Sequence, residues 1–342
     1  MIKNKDVATR FNEILQQIEE DDRNKMDIEL GLNELRMLPT GNIVRKGRDT
    51  LNGLELSDYA MTQAFNRIGI PVRYGKRLFA ERPDLVADQF NHWVGKEQRR
   101  VLIRFRNNGD TGVIRGFLSD SYTRLDNKDV MNSLGQIIED IPNAEVEGFY
   151  LDDRRMHIRL TLPDLSVDFG EAVGETVDGM RDILRVGVDI INSEIGASSL
   201  VVSPLVFRLV CLNGLRAWRE EGDVFRQRHI HLSSQELFGR MNEAVGSAIK
   251  AGDELIERMY ETKKFKVESP LEVIEKLSKK QMYSQQLIDT AKTNFMIEPS
   301  NDLYGVMNAF TRTARDLKNE QRLEVEKFAG SLLTDQTMRE FM

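Results

Sequence analysis

Arg99-Arg100-Val101-Leu102-Ile103-Arg104-Phe105-Arg106, then Asn107-Asn108-Gly109-Asp110, then Gly112-Val113-Ile114-Arg115-Gly116-Phe117-Leu118, form the clearest strand–turn–strand pattern in the chain. Val101, Ile103 and Phe105 alternate with Leu102, Arg104 and Arg106. That period of two belongs to a strand with one apolar face and one wet or functional face. The Asn/Gly/Asp cluster is a turn signal, so the stretch reads as a hairpin with arginines on both arms.

On the N-terminal side the period lengthens. Residues 5–38 read as helical, with Phe11, Ile14, Leu15 and Ile18 at helical spacing, and Pro39-Thr40-Gly41-Asn42 as a break. A second helix is expected from Leu56-Ser57-Asp58 through Phe65, an interruption at Gly69-Ile70-Pro71, and more helix over 74–94. On the C-terminal side, 128–141 reads as a helix, and 144–151 and 154–162 as a strand pair joined by Asp152-Asp153. Further β-branched runs cover 185–191 and 200–212. Ser233 and Glu236 then fit a helix start, and Pro270 and Pro299 separate the helices that follow. Strands in runs and helices in runs argue α+β. The expected architecture is a central antiparallel sheet with helical N-terminal and C-terminal regions, divided as 1–97 helical, 98–232 α+β and 233–342 helical.

The chain has 342 residues, 40% hydrophobic and 30% charged, enough to build a core. A single cysteine rules out an internal disulfide framework and a multi-cysteine zinc site. No run of apolar residues reaches membrane-spanning length, and Met1 to Asp6 opens no signal peptide, so a cytoplasmic setting is expected. The net charge is −7, yet residues 62–128 carry 13 basic and 7 acidic side chains, a local +6 that is mostly arginine, including Arg67. Guanidinium suits phosphate better than a point charge does. Surface charge paired with nearby carboxylates accounts for the same numbers equally well.

No GxxxxGK[ST] and no GxGxxG after a strand is present, so nucleotide-loop enzymes lose their usual entry point, and His229-Ile230-His231 is half of a metal site without a defined third ligand; no cofactor, metal or catalytic residue is assigned. The densest polar cluster, Asn192-Ser193-Glu194-Ile195-Gly196-Ala197-Ser198-Ser199, suits an anion or metal, or a turn held by its own side chains. Glu194 needs a partner if it is buried. Cys211 ends an apolar run before Asn213-Gly214 and reads more simply as a core residue than as a nucleophile paired with His229 or His231. Ser119, Ser121, Tyr122 and Arg124 follow the hairpin directly. A basic sheet face with an aromatic ring is a common way to hold a single strand, charge on the backbone and rings on the bases. Arg99, Arg100, Arg104, Arg106, Arg115, Ser119, Tyr122 and Arg124 are therefore the candidate nucleic-acid contacts. Asn192, Ser193, Glu194, Asn213, Arg228 and His229 form a second candidate polar site.

Several stretches together resemble the phage/plasmid-like protein family, a domain-of-unknown-function family of bacteriophages and mobile elements. They are Ala64 to Pro71, Leu118 to Asn127, Gly187 to Gly196, Phe207 to Gly214, Arg228-His229 and Met307 to Thr311. The resemblance implies a phage, prophage or plasmid origin and a bacterial cytoplasm, and it implies no reaction. The chain departs from the pattern after Arg228-His229, where Ile230-His231 stands in place of a small residue.

Two functions follow as expectations. The first is a nucleic-acid-binding protein of phage DNA metabolism, acting on single-stranded DNA in annealing, recombination or replication, as a homo-oligomer. The second is an interaction protein that blocks a host defence factor, an acidic surface meeting a host partner. An enzyme built on Glu194, Cys211 and His229 is the third and remotest reading.

Overall fold

The computed structural model describes residues 5–47, 53–107, 112–141, 143–171, 180–209, 213–216, 225–227 and 233–333. Helix α1 (Lys5–Asp22) buries Phe11, Ile14 and Ile18, the stripe seen in the sequence. The helix does not continue to residue 38. Lys25-Met26-Asp27-Ile28-Glu29-Leu30 alternates, and it forms strand β1 (Lys25–Gly31), followed by a short 3-10 turn and β2 (Leu35–Met37). Residues 5–38 hold enough apolar side chains to imitate one long helix, but tertiary pairing overrides that propensity.

Strands β3 (Ile43–Arg45) and β4 (Leu54–Leu56) precede three helices, α2 (Asp58–Ile68), α3 (Val72–Glu81) and α4 (Pro83–Val94). The arginine hairpin is β5 (Arg100–Asn107) and β6 (Gly112–Ser119), with its turn 108–111 outside the described residues. These six strands make one sheet in the order β1-β5-β6-β4-β3-β2, parallel only between β4 and β6. Ile28 pairs with Ile103 across β1 and β5, and a core of Phe65, Phe90, Val101, Ile103 and Phe117 fills the space beneath α2 and α4.

Helix α5 (Asn127–Glu139) leads into the second sheet, β7 (Glu145–Leu151), β8 (Met156–Glu171), β9 (Arg181–Asn192), β10 (Leu200–Arg208), β11 (Asn213–Arg216) and β12 (Phe225–Gln227). This sheet is antiparallel in the order β11-β10-β9-β8-β7, with β12 also on β10. Every residue of β10 is buried. Pro204 is tolerated there because, among the described residues, β12 pairs with 200–202 and β11 with 205–208, so the missing N–H falls between them. The C-terminal helices α6 (Ser234–Thr262), α7 (Pro270–Lys280), α8 (Gln285–Ile297), α9 (Leu303–Arg315) and α10 (Asn319–Ser331) complete the larger core, and α6 lies across β9 and β10. The expected cap on α6 is present: Ser233 Oγ accepts from Glu236 N, and Glu236 Oε2 accepts from Ser233 N at 2.9 Å. Among the described residues no helix is long and apolar enough to cross a membrane.

The fold is thus α+β with N-terminal helices and a helical C-terminal region, but the described residues form two sheets, and the arginine hairpin belongs to the first. Gly187 on β9 marks where the second sheet is tightest, because a Cβ there would lie 2.2 Å from the Leu160 carbonyl oxygen. Backbone cannot move aside as a flexible side chain can. Gly187→Ala should cost about 2–3 kcal/mol, at the upper end of overpacking penalties, read as a lower midpoint in urea unfolding.

Candidate functional site

The face of β5 expected to be wet is covered. Arg104 is only 3% exposed and Arg115 only 6%. What covers them is the polar turn between β9 and β10: Arg104 Nη1 donates to Glu194 O at 2.9 Å, and Arg115 Nη2 to Glu194 Oε2 at 2.7 Å. The two candidate sites of the sequence therefore meet at Glu194, whose carboxylate is the counter-charge of Arg115 and whose carbonyl accepts from Arg104. Arg104 also binds Asp27 at 2.9 Å and Asp126 at 2.5 Å.

Glu194 itself is 2% exposed. Its carboxylate takes Lys25 Nζ at 2.8 Å, Arg115, and the Asn127 backbone N–H at 3.0 Å. Burial alone would push the carboxyl up, but Lys25, then Arg115 and the hydrogen bonds hold it down at about 2. Asn192 and Ser193 are buried in the same turn, with Asn192 Nδ2 donating to Leu125 O and to Asn127 Oδ1. Asn213 stands on β11 opposite Arg208, while Cys211, Arg228, His229 and His231 lie outside the described residues.

The remaining ribbon arginines separate. Arg106 pairs with Asp21, and Arg124 with Asp27 at 3.0 Å and Glu29 at 2.8 Å. Arg100 is exposed and, among the described residues, reaches only the Glu29 carbonyl, at 3.4 Å. Arg99 binds Glu97 at 2.8 Å and points its Nη2 at the Arg67 carbonyl, at 3.2 Å. The six arginines expected to share one exposed face do not: Arg104 and Arg115 are structural, because a sheet face next to a second sheet is buried whatever its side chains.

Arg99, Ser119 and Tyr122 do meet, in a cleft of about 810 Å³. One wall is the last turn of α2 with Asn66 and Arg67, the second is the exit of β6 with Ser119, Ser121 and Tyr122, and the third is the turn with Gly196, Ser198 and Ser199. Helix α2 starts at Ser57, whose Oγ accepts from Ala60 N, and ends at Gly69 in the left-handed region with φ 76°. Gln63 ties it to both other walls, accepting from Phe117 N at 2.8 Å and donating to Ile195 O at 2.8 Å. Tyr59 donates to Gly196 O and Tyr122 to Ser193 O, each at 3.1 Å. Gly196 has φ +75°, and a side chain there would strain the turn beside Leu118 and Tyr122.

Arg67 is the cleft's most unusual group. Among the described residues no carboxylate binds its guanidinium; burial, then the neighbouring Arg99, lowers its pKa, and Asp120 offsets this only in part. Ser198 Oγ is buried without a hydrogen-bond partner among the described residues. Lys25 and Gln63 join the site with no sequence motif to mark them, whereas Ser198 comes from the polar cluster 192–199. Arg67 could have been found from its place in the final turn before Gly69, where helix carbonyls leave a cation half-solvated.

Residues 115–327 match the family model described as Domain of unknown function (DUF932). The chain belongs to the DUF932 family. No curated protein and no solved structure matches it. The DUF932 segment spans β6 to α10, so it supplies Ser119, Tyr122, Glu194 and the serine turn, while Lys25, Arg67 and Arg99 come from the preceding sheet and helices. The cleft is therefore built where the DUF932 segment meets the N-terminal unit. Among the described residues no group of three or more His, Cys, Asp or Glu is placed to hold a metal ion.

Proposed function

We propose that this DUF932 protein binds single-stranded nucleic acid through the cleft between α2, the β6 exit and the β9–β10 turn, as a phage or mobile-element protein of recombination or replication. The observation that carries the reading is the Arg67–Arg99 pair: two neighbouring guanidinium groups, one of them half-buried without a carboxylate, on the wall of an open cleft. Like charges held together in a partly desolvated place are stabilised when an anion bridges them. Ser199 and the mutually bonded Ser119–Ser121 pair, which keeps one free hydroxyl proton, offer donors to the same phosphate, and the Tyr122 ring offers a stacking surface for a base. With Arg104 and Arg115 committed to Glu194, the cationic track is short, so a few nucleotides fit it and a long duplex does not.

A labelled 40-mer should bind at micromolar protein in low salt, read by fluorescence anisotropy. Arg67→Ala with Arg99→Ala should remove two phosphate contacts, flattening the log–log salt dependence by about 1.4 and weakening binding at low salt tenfold or more. Failure of the parent protein to bind, or a variant indistinguishable from it, ends this reading.

A second reading, capture of a basic host partner, has its own observation. Asp253, Glu257 and Glu261 repeat every fourth residue on exposed turns of α6 and rim a groove of about 490 Å³ floored by Val167, Phe169 and Ile256. Reversing that stripe to lysine should abolish a nuclease-resistant complex recovered from host lysate if this groove is the contact.

A further inference from the structure

A second cleft, of about 520 Å³, opens between the outer strands of the second sheet and the α9–α10 corner. It takes no part in the Arg67–Arg99 cleft, which is lined by different residues. Three side chains with unmet bonding capacity face it. Lys318 is exposed and has no ion pair or hydrogen bond from its ammonium group among the described residues. Arg322 is clamped through Nε to Glu326 Oε1 at 2.8 Å, which fixes the guanidinium and leaves both terminal nitrogens without a partner among the described residues. Glu147 is half-buried, carries no hydrogen bond or ion pair among the described residues, and burial pushes its carboxyl pKa up.

The floor between them carries one accessible ring, Tyr150 on β7, which is 41% exposed and pairs with His157 on β8, while its neighbour Phe149 turns to the opposite face and packs on the core. Beneath it Arg159 is fully engaged, by Asp189 at 3.2 Å and by Glu326 through two hydrogen bonds. That buried network holds the floor rigid and gives Arg322 its anchor. The ligand that answers this arrangement has an anionic group for Lys318 and Arg322, a flat ring for Tyr150, and a hydrogen-bond donor for Glu147. We propose that the cleft binds a nucleoside 5′-monophosphate, its phosphate on Lys318 and Arg322 and its base on the Tyr150 ring with an N–H directed to Glu147.

Isothermal titration of the full chain with AMP, CMP, GMP and UMP in turn, and with inorganic phosphate, tests the assignment. At least one nucleotide should bind saturably and more tightly than inorganic phosphate. Lys318→Glu, a change at an exposed position, should weaken that nucleotide by about tenfold or more, a loss near 1.4 kcal/mol. Glu147→Gln should alter the preference among the four bases, and Arg67→Ala with Arg99→Ala should leave binding unchanged. Saturable binding by none of the four, an affinity for inorganic phosphate equal to the best nucleotide, or unchanged binding by Lys318→Glu would each overturn the proposal. Loss in the Arg67/Arg99 variant in place of the Lys318 variant would overturn it too, by moving the nucleotide to the other cleft.

Discussion

Glu194→Gln should destabilise the protein by about 3–5 kcal/mol, the usual cost of breaking a buried ion pair from one side. The two cations on Glu194 are not equally exposed to the loss. Lys25 keeps Asp21 at 2.6 Å, but Arg115 has no other carboxylate among the described residues, and its Nε and Nη1 are already buried without partners. Arg115 would be left charged, buried and alone. Changing Arg115 to methionine in the same chain should recover part of the loss, because two apolar or neutral partners are cheaper than one orphaned charge. The acid limb offers a separate measurement. The carboxyl sits at about 2 in the folded protein against an ordinary 4.5, so its contribution is complete above pH 4.5 and disappears as the pH falls toward 2. That interval is worth roughly 3 kcal/mol at full swing. Urea midpoints taken from pH 6 down to pH 2 should fall steeply in the parent and more shallowly in Glu194→Gln; parallel curves would falsify the assigned role.

Arg208→Met should cost a comparable 3–5 kcal/mol, at the far end of the same sheet. Arg208 donates from Nε to Asp182 at 2.6 Å and from its two terminal nitrogens to Glu298 at 2.9 and 3.0 Å. Tyr304 completes Asp182 with a hydroxyl at 2.8 Å, and Arg312 reaches Glu298 at 3.2 Å. Methionine fills most of the volume and removes the charge, so two carboxylates remain buried around an apolar side chain. Since α8 and α9 are fastened to β9 and β10 through this network, amide hydrogen exchange in α9 should accelerate more than in α2 or α4. Equal acceleration everywhere would mean that the network is not a local fastening.

The hairpin arginines show how far a sequence pattern carries. Alternation in 101–106 separates two faces of a strand, and β5 and β6 lie within a residue of the expected limits, with a register shift between Arg104 and Phe105 that the alternation does not announce. It does not reveal what lies on either face. The partner of Arg104 is the turn at Glu194, 90 residues away. Lys25 was hidden more thoroughly, because apolar residues at helical spacing in α1 encouraged the same period through β1. By contrast Ser233 and Glu236, Pro270, and the breaks at Gly69 to Pro71 were legible because caps and prolines act within a few residues of themselves.

The sequence by itself determined the α+β class, the hairpin, the capped C-terminal helices and the family, all of which rest on local periodicity, capping and short motifs. Only the tertiary structure decided that the described residues form two sheets, that Glu194 pairs with Arg115 and Lys25, and that Arg67 and Arg99 share a cleft with the serine turn. The reason is electrostatic: a charge's role depends on what it is desolvated against, and in this chain those neighbours are brought together from α2, β5, β6 and the β9–β10 turn.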